Sequence, residues 1–149
     1  FEARTGGFNT VGFPSFLKAY RPLMSVRNVR LFVSQARAFR LFLNAGRLNR
    51  AATDDTQLAL ALGHCLATIA YGQLIAENAA LLGVPAPMVS AMFHTLVADL
   101  SASALALASF PRLSALRRVL IGRLIAIPRS SSADWDFVSA KLRADVWIA

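Results

Sequence analysis

The side chains best suited to chemistry in this sequence lie within one apolar stretch, residues 57–85. His64 and Cys65 are adjacent there, and Glu77 is the only carboxylate of the stretch. Consecutive residues on an α-helix point about 100° apart, so a helical His64 cannot activate the thiol of its neighbour. The stretch therefore predicts no Cys–His nucleophile, and no catalytic residue is assigned from the sequence.

A metal site is equally unsupported. His64 has only Thr68 at the positions three and four residues away, and a hydroxyl is a poor zinc ligand. His94 can approach from a later helix, but two histidines without a carboxylate on the same face are too few. We expect both histidines to be hydrogen-bonded inside a helical bundle. Glu77, four residues after Gln73, is expected to pair with an arginine of another helix or subunit, or to reach solvent.

The element that carries these residues is a long apolar helix with one polar seam. Four polar side chains recur every seven residues and share a helix face: Gln57, His64, Tyr71 and Asn78. Residues 58–76 contain no formal charge and approach the length of a membrane span, but they are rich in alanine and lack an aromatic belt. Gly63, Gly72 and the alanines allow close helix approach. Of a membrane span, an active-site helix and a buried helix, the pattern favours a helix buried against another domain or subunit.

Composition agrees with a helical protein that has much apolar surface. The chain has 149 residues, of which 56% are hydrophobic and 16% charged, and its mean hydropathy is +0.49. One cysteine excludes an intrachain disulfide, and a reducing, cytoplasmic location is predicted. The first residues contain no signal-peptide pattern, and the Phe1 start indicates a processed chain or a fragment.

The net charge of +8 is concentrated at the two ends of the chain. Residues 51–111 contain no Lys or Arg, whereas the flanks hold fourteen Arg and two Lys. Such flanks can meet the phosphates of nucleic acid, a nucleotide cofactor, coenzyme A or lipid headgroups. No recognition helix or aromatic–basic motif is present, so nucleic-acid binding is not predicted.

The periodicity predicts an all-α fold, an antiparallel four- to five-helix bundle over residues 25–149 that follows an irregular, extended N-terminal arm over residues 1–24. Ser25 is the expected N-cap of the first helix, and Thr53 that of the second. The predicted helices span residues 25–44, 53–82, 86–109, 113–127 and 131–146.

Two segments resemble a known family. AYGQLIAENAALLGVPAPMVSAMFHTLVADLSASALALAS (residues 70–109) resembles the central antiparallel helix pair in the C-terminal helical domain of acyl-CoA dehydrogenases, and RNVRLFVSQARAFRLFL (residues 27–43) is similar to the helix before it. The resemblance covers roughly residues 25–147. It implies a flavoprotein oxidoreductase of fatty acid metabolism that uses FAD, acts on acyl-CoA thioesters and forms oligomers through this bundle. Ser109-Phe110-Pro111 replaces the family's glycine-rich turn, so no catalytic residue is carried over.

The functional prediction combines these observations. The chain is expected to be the C-terminal bundle of an acyl-CoA dehydrogenase-like flavoprotein, inactive alone, that joins a second copy or a partner subunit through residues 54–82 and 86–109. Arg27 and Arg30, in the first turns of the first helix, are the candidates for contacts to the phosphates of FAD or acyl-CoA. The alternatives are a non-enzymatic helical dimerisation module and, less favoured, a two-helix membrane protein.

Overall fold

The computed structural model describes residues 16–45, 55–111 and 113–146. The described residues form helices and no strand, so the predicted all-α bundle is confirmed. A 3₁₀ turn over Arg21–Leu23 follows the first helix. The α-helices are α1 (Phe16–Tyr20), α2 (Arg27–Asn44), α3 (Thr56–Leu81), α4 (Ala86–Ala108), α5 (Ala115–Leu124) and α6 (Ser132–Val146).

The helix ends differ from the predicted ends by a few residues. The first bundle helix begins after Val26, which caps it without a side-chain hydrogen bond, rather than after Ser25. Asp55 caps α3, because its side chain accepts hydrogen bonds from the backbone N–H groups of Gln57 and Leu58. The predicted cap Thr53 lies outside the described residues. Within the segment predicted as an irregular arm, residues 16–23 form helical turns, and residues 1–15 are not described.

The α4 helix lies at the centre of the bundle and contacts α2, α3, α5 and α6. The α2 helix runs parallel to it, since Asn28 donates to the Ser90 carbonyl and Gln35 to that of Val97. A tight turn at Gly83 makes α3 antiparallel to both. Gly83 has a φ of +59°, a left-handed conformation that glycine adopts without strain, and it ends α3.

The bundle closes with α5, which runs back along α2. The Gln35 side chain donates to the Leu124 carbonyl at 2.6 Å, and the Arg117 guanidinium lies over the Phe42 ring, 5.6 Å from its centroid. Ser101 on α4 joins the same buried network, because its hydroxyl donates to the Ala126 carbonyl and accepts from the Ala126 N–H. The α6 helix contacts α4 and leaves most of its surface exposed.

An aromatic cluster fills the core where α1, α2 and α4 meet. The rings of Tyr20, Phe32 and Phe93 are buried, and the Phe32 and Phe93 centroids lie 5.4 Å apart in an edge-to-face arrangement. Gly72 of α3 faces Phe32 so closely that a Cβ there would stand 2.5 Å from its Cζ. The glycine therefore allows α3 to pack against α2.

Candidate functional site

His64 and Cys65 point to different sides of α3, as the helical geometry predicts. His64 is exposed, whereas Cys65 is fully buried in the core. Burial raises the pKa of the Cys65 thiol from 9.0 to about 12, against a smaller opposite effect of a hydrogen bond with Ser103. A thiol that stays protonated at neutral pH is a poor nucleophile, so Cys65 is a core residue.

The other candidate side chains also lie apart. His94 is half-buried beside α6, with Nδ1 3.4 Å from the Arg129 carbonyl oxygen and its ring edge-on to Trp135. The expectation of a hydrogen-bonded bundle histidine therefore fits His94, and it is wrong for His64. Glu77 is exposed and accepts a hydrogen bond from Gln73. In the described part of the chain, no three His, Cys, Asp or Glu side chains come together as a metal site.

The α3 helix has two seams on opposite faces, one apolar and buried, the other exposed and composed of alternating polar and apolar side chains. Its buried seam packs into the bundle and repeats at alternating spacings of four and three: Leu58, Leu62, Cys65, Ile69, Gly72, Ala76 and Ala79. A second seam of the same spacing lies on the far side, and all of its members are exposed: Gln57, Leu60, His64, Ala67, Tyr71, Leu74, Asn78 and Leu81. Such a 3–4 repeat is the pattern by which helices pair lengthwise. The outer seam has the same spacing as the buried seam but stays exposed.

The outer seam borders a shallow groove between α3 and α4. The groove has a volume of about 430 Å³ and is lined by Thr68, Tyr71 and Ile75 from α3 and by Met92 and Asp99 from α4, among others. Leu60, Leu74 and Leu81 on the seam are between 53% and 83% exposed. Together the seam and the groove form one exposed surface, which we term the α3/α4 face and in which large apolar side chains alternate with polar ones.

Arg27 lies at a second feature, a cavity of about 390 Å³ at one end of the bundle. The first turns of α2, α4 and α6 meet there, so that Arg27 and Arg129 share the cavity with Ser90, Ser130 and other residues. Neither guanidinium forms an ion pair within the described residues. The cavity therefore presents two free cations and several hydroxyl groups.

A buried asparagine connects the segments that line this cavity. Asn28 is 1% exposed, and its Nδ2 donates to the carbonyl oxygens of Ser90 and Arg129, each at 2.9 Å. The Arg129 N–H in turn donates to Asn28 Oδ1 at 2.8 Å. One side chain thus ties α2, α4 and the segment before α6 together, which brings Arg129 to the same cavity as Arg27.

The second predicted anion contact, Arg30, lies one turn further along α2. Its Nη1 donates to the carbonyl oxygens of Met24 and Ser25, at 2.7 and 2.9 Å. Arg30 is not among the residues that line the cavity, whereas Arg129 is. No local signal in the sequence pairs Arg129 with Arg27, because 102 positions separate them and only the fold unites them.

Both central helices meet the length and composition of a membrane span. The most apolar windows of α3 and α4 have mean hydropathies of 1.6 and 1.4, and 33% and 39% of these windows are buried in the bundle. Buried core helices of globular proteins meet the same criterion.

Comparisons with protein-family models, with curated proteins and with solved structures found no match. The fold and the two surfaces described above are therefore the basis for a function.

Proposed function

We propose that this chain is a helical self-association module that pairs with a second copy of itself through the α3/α4 face. The supporting observation is the outer seam of α3, which repeats the spacing of the buried seam over seven helical turns and is exposed along its whole length. Large apolar side chains exposed along one helix, here Leu60, Leu74 and Leu81, often mark a protein interface.

The size of the face suits a dimer. The 26 residues of α3 span about 39 Å, and a helix about 10 Å wide offers a strip of roughly 400 Å². The exposed side of the 23-residue α4 adds roughly 350 Å². The sum approaches the ~800 Å² that each partner contributes to a standard protein interface.

The charges of the face also favour an identical partner. Residues 51–111 contain no Lys or Arg and few acids, so two copies bring little like charge together. An antiparallel pairing of the two α3 helices, with its twofold axis between Ala67 and Tyr71, sets each polar seam residue against an apolar one. Ala67 then faces Tyr71 of the second copy, a small side chain against a large one, and His64 faces Leu74, a polar side chain against an apolar one.

A two-helix membrane hairpin is the other function that the apolar helices could serve, and the position of α2 weighs against it. The α2 helix lies alongside α4 from Ser90 to Val97, and Arg30 and Arg37 are exposed on its outer side. In a bilayer these arginines would lie at the depth of α4, at a cost of about 3 kcal/mol for each charge near the centre.

The resemblance to acyl-CoA dehydrogenases stays a prediction, and so does FAD binding. A flavin absorbance band in the purified chain, or in its complex with added FAD, supports that assignment. A colourless dimer that binds neither FAD nor an acyl-CoA supports the self-association module alone.

The test of self-association compares two matched variants by sedimentation equilibrium. Leu74, on the seam, is 56% exposed, and Leu116, on α5 away from the face, is 58% exposed. Covering the exposed half of Leu74 is worth about 1 kcal/mol per copy, and a glutamate there must also be desolvated. We expect Leu74→Glu to weaken the dimer more than ~100-fold and Leu116→Glu to leave it unchanged.

The orientation is tested separately by disulfide trapping. A mixture of His64→Cys and Leu74→Cys chains should form the mixed disulfide in preference to either homodimer. A wild-type chain that remains monomeric at high concentration refutes the module, whereas a dimer that traps as a His64→Cys homodimer refutes only the antiparallel pairing.

A further inference from the structure

We propose that the cavity between the first turns of α2, α4 and α6 binds the phosphate groups of a small soluble ligand, with Arg27 and Arg129 as the two anion contacts. The inference is independent of self-association, because the cavity and the α3/α4 face share no lining residue.

The two arginines supply the charge. Both line the cavity, and neither is held by a carboxylate within the described residues. Guanidinium groups bind phosphate oxygens through paired, charge-assisted hydrogen bonds. A phosphate in the cavity would gain such bonds from both arginines without breaking an ion pair among the described residues.

The remaining groups of the cavity fit the same ligand. Ser25, Ser90 and Ser131 bring hydroxyl groups to its wall. The α2 helix begins there without a side-chain cap, so that the positive end of its dipole adds to the field of Arg27. These contributions are secondary to the arginine pair.

The frame of the cavity is rigid because of Asn28. Its three hydrogen bonds to backbone groups fix the N–H and the carbonyl of Arg129 relative to the first turns of α2 and α4. The 62 and 101 positions that separate these partners in sequence show that the arrangement is tertiary. A ligand therefore meets a preformed cavity, which lowers the entropy cost of binding.

One acidic group also lines the cavity, Asp134 in the first turn of α6. Its carboxylate stabilises the start of α6 and opposes a bound anion. The structure thus predicts opposite effects for two kinds of charge removal: loss of an arginine weakens phosphate binding, and loss of the Asp134 charge strengthens it.

The size of the cavity indicates the size of the ligand. A volume of about 390 Å³ lies near the small end of ligand sites, as expected for a diphosphate-sized group rather than a polymer.

Isothermal titration with inorganic pyrophosphate tests the proposal at constant ionic strength. We expect saturable binding that Arg27→Gln and Arg129→Gln each weaken by about tenfold or more. Asp134→Asn should tighten it about threefold. Arg40→Gln removes the same charge from an exposed position of α2 outside the cavity, and we expect it to change the affinity less than about twofold. Circular dichroism establishes that each variant is folded.

Three outcomes overturn the proposal. Heat that does not saturate, or an Arg40→Gln loss equal to that of Arg27→Gln, shows general surface attraction instead of a site. Vesicles of phosphatidylserine and a short DNA duplex are titrated in parallel. Binding to either that exceeds binding to pyrophosphate and resists Arg27→Gln assigns the basic surface to a membrane or to nucleic acid.

Discussion

Gly72 gives the sharpest test of the contact between α3 and the Phe32 ring of α2, because a methyl group added at Gly72 would overlap that ring. A Cβ at this position would stand 2.5 Å from Cζ of Phe32. The ring is fully buried and packs against Tyr20 and Phe93, so a shift of the ring disturbs the aromatic cluster. Gly63 on the same helix has no heavy atom within 4 Å of the corresponding point. Gly63→Ala therefore measures the helix propensity of alanine alone, whereas Gly72→Ala measures the same propensity together with the steric cost of the added methyl group.

The magnitudes follow from these surroundings. Alanine gains about 1 kcal/mol over glycine in a helix, which we expect to appear in full for Gly63→Ala. At Gly72 the same gain is offset by the cost of overpacking the core, which we take as about 3 kcal/mol because the Phe32 ring is buried. Gly72→Ala should therefore lose about 2 kcal/mol, and the two variants should differ by about 3 kcal/mol, or roughly 6–12 °C in Tm for a chain of this size.

Urea unfolding followed by far-UV circular dichroism measures both free energies of unfolding. The protein concentration is kept low enough for the chain to be monomeric, because Gly63 lies beside the outer seam and its substitution could also change self-association. Shortening the opposing ring should rescue the loss, so the double variant with Phe32→Leu should show a coupling energy that favours Gly72→Ala. If Gly72→Ala proves as stable as Gly63→Ala, the close contact between α3 and α2 does not exist and the argument is refuted.

Three further expectations concern buried groups. Ser101→Ala should lower the free energy of unfolding by about 1–3 kcal/mol, because the Ala126 N–H loses its acceptor; urea unfolding measures it. Asn28→Ala should release the backbone of Arg129 and weaken pyrophosphate binding, and faster amide exchange at Arg129 by NMR would show the cause. Stability should fall as the pH rises from about 9 towards 12, since the raised pKa of Cys65 means that the folded state keeps a proton that the unfolded state has lost. Full stability from this group is present below pH 9, and Cys65→Ala should flatten the alkaline slope of unfolding free energy against pH. A slope unchanged by that substitution would contradict the assignment.

The helices and their sequence limits were largely predictable, because apolar periodicity and end signals are local. The order of five bundle helices, the turn at Gly83 and the separation of His64 from Cys65 all follow from residues within a few positions of one another. The polar seam of Gln57, His64, Tyr71 and Asn78 was also visible as a spacing of seven. Its solvent exposure was not, since periodicity alone cannot tell which of two seams the bundle buries.

Arg27 was a candidate from its place at a basic helix start, but its partner could not be found in the same way. Arg129 reaches the cavity through the Asn28 hydrogen bonds, which join residues 101 positions apart. The sequence predicted that Gly72 allows close approach of another helix. It did not predict that the opposing side chain is Phe32, because that depends on how α2 packs relative to α3.

The amino-acid sequence alone determined that this protein is a helical bundle, that residues 58–76 of its longest helix carry no formal charge, and that its cationic residues lie at both ends of the chain. Those properties depend on side-chain type and on the 3.6-residue helical period. The tertiary structure decided which seam stays exposed and which two arginines meet. Both outcomes depend on long-range packing, where the shapes of several helices must fit together at once.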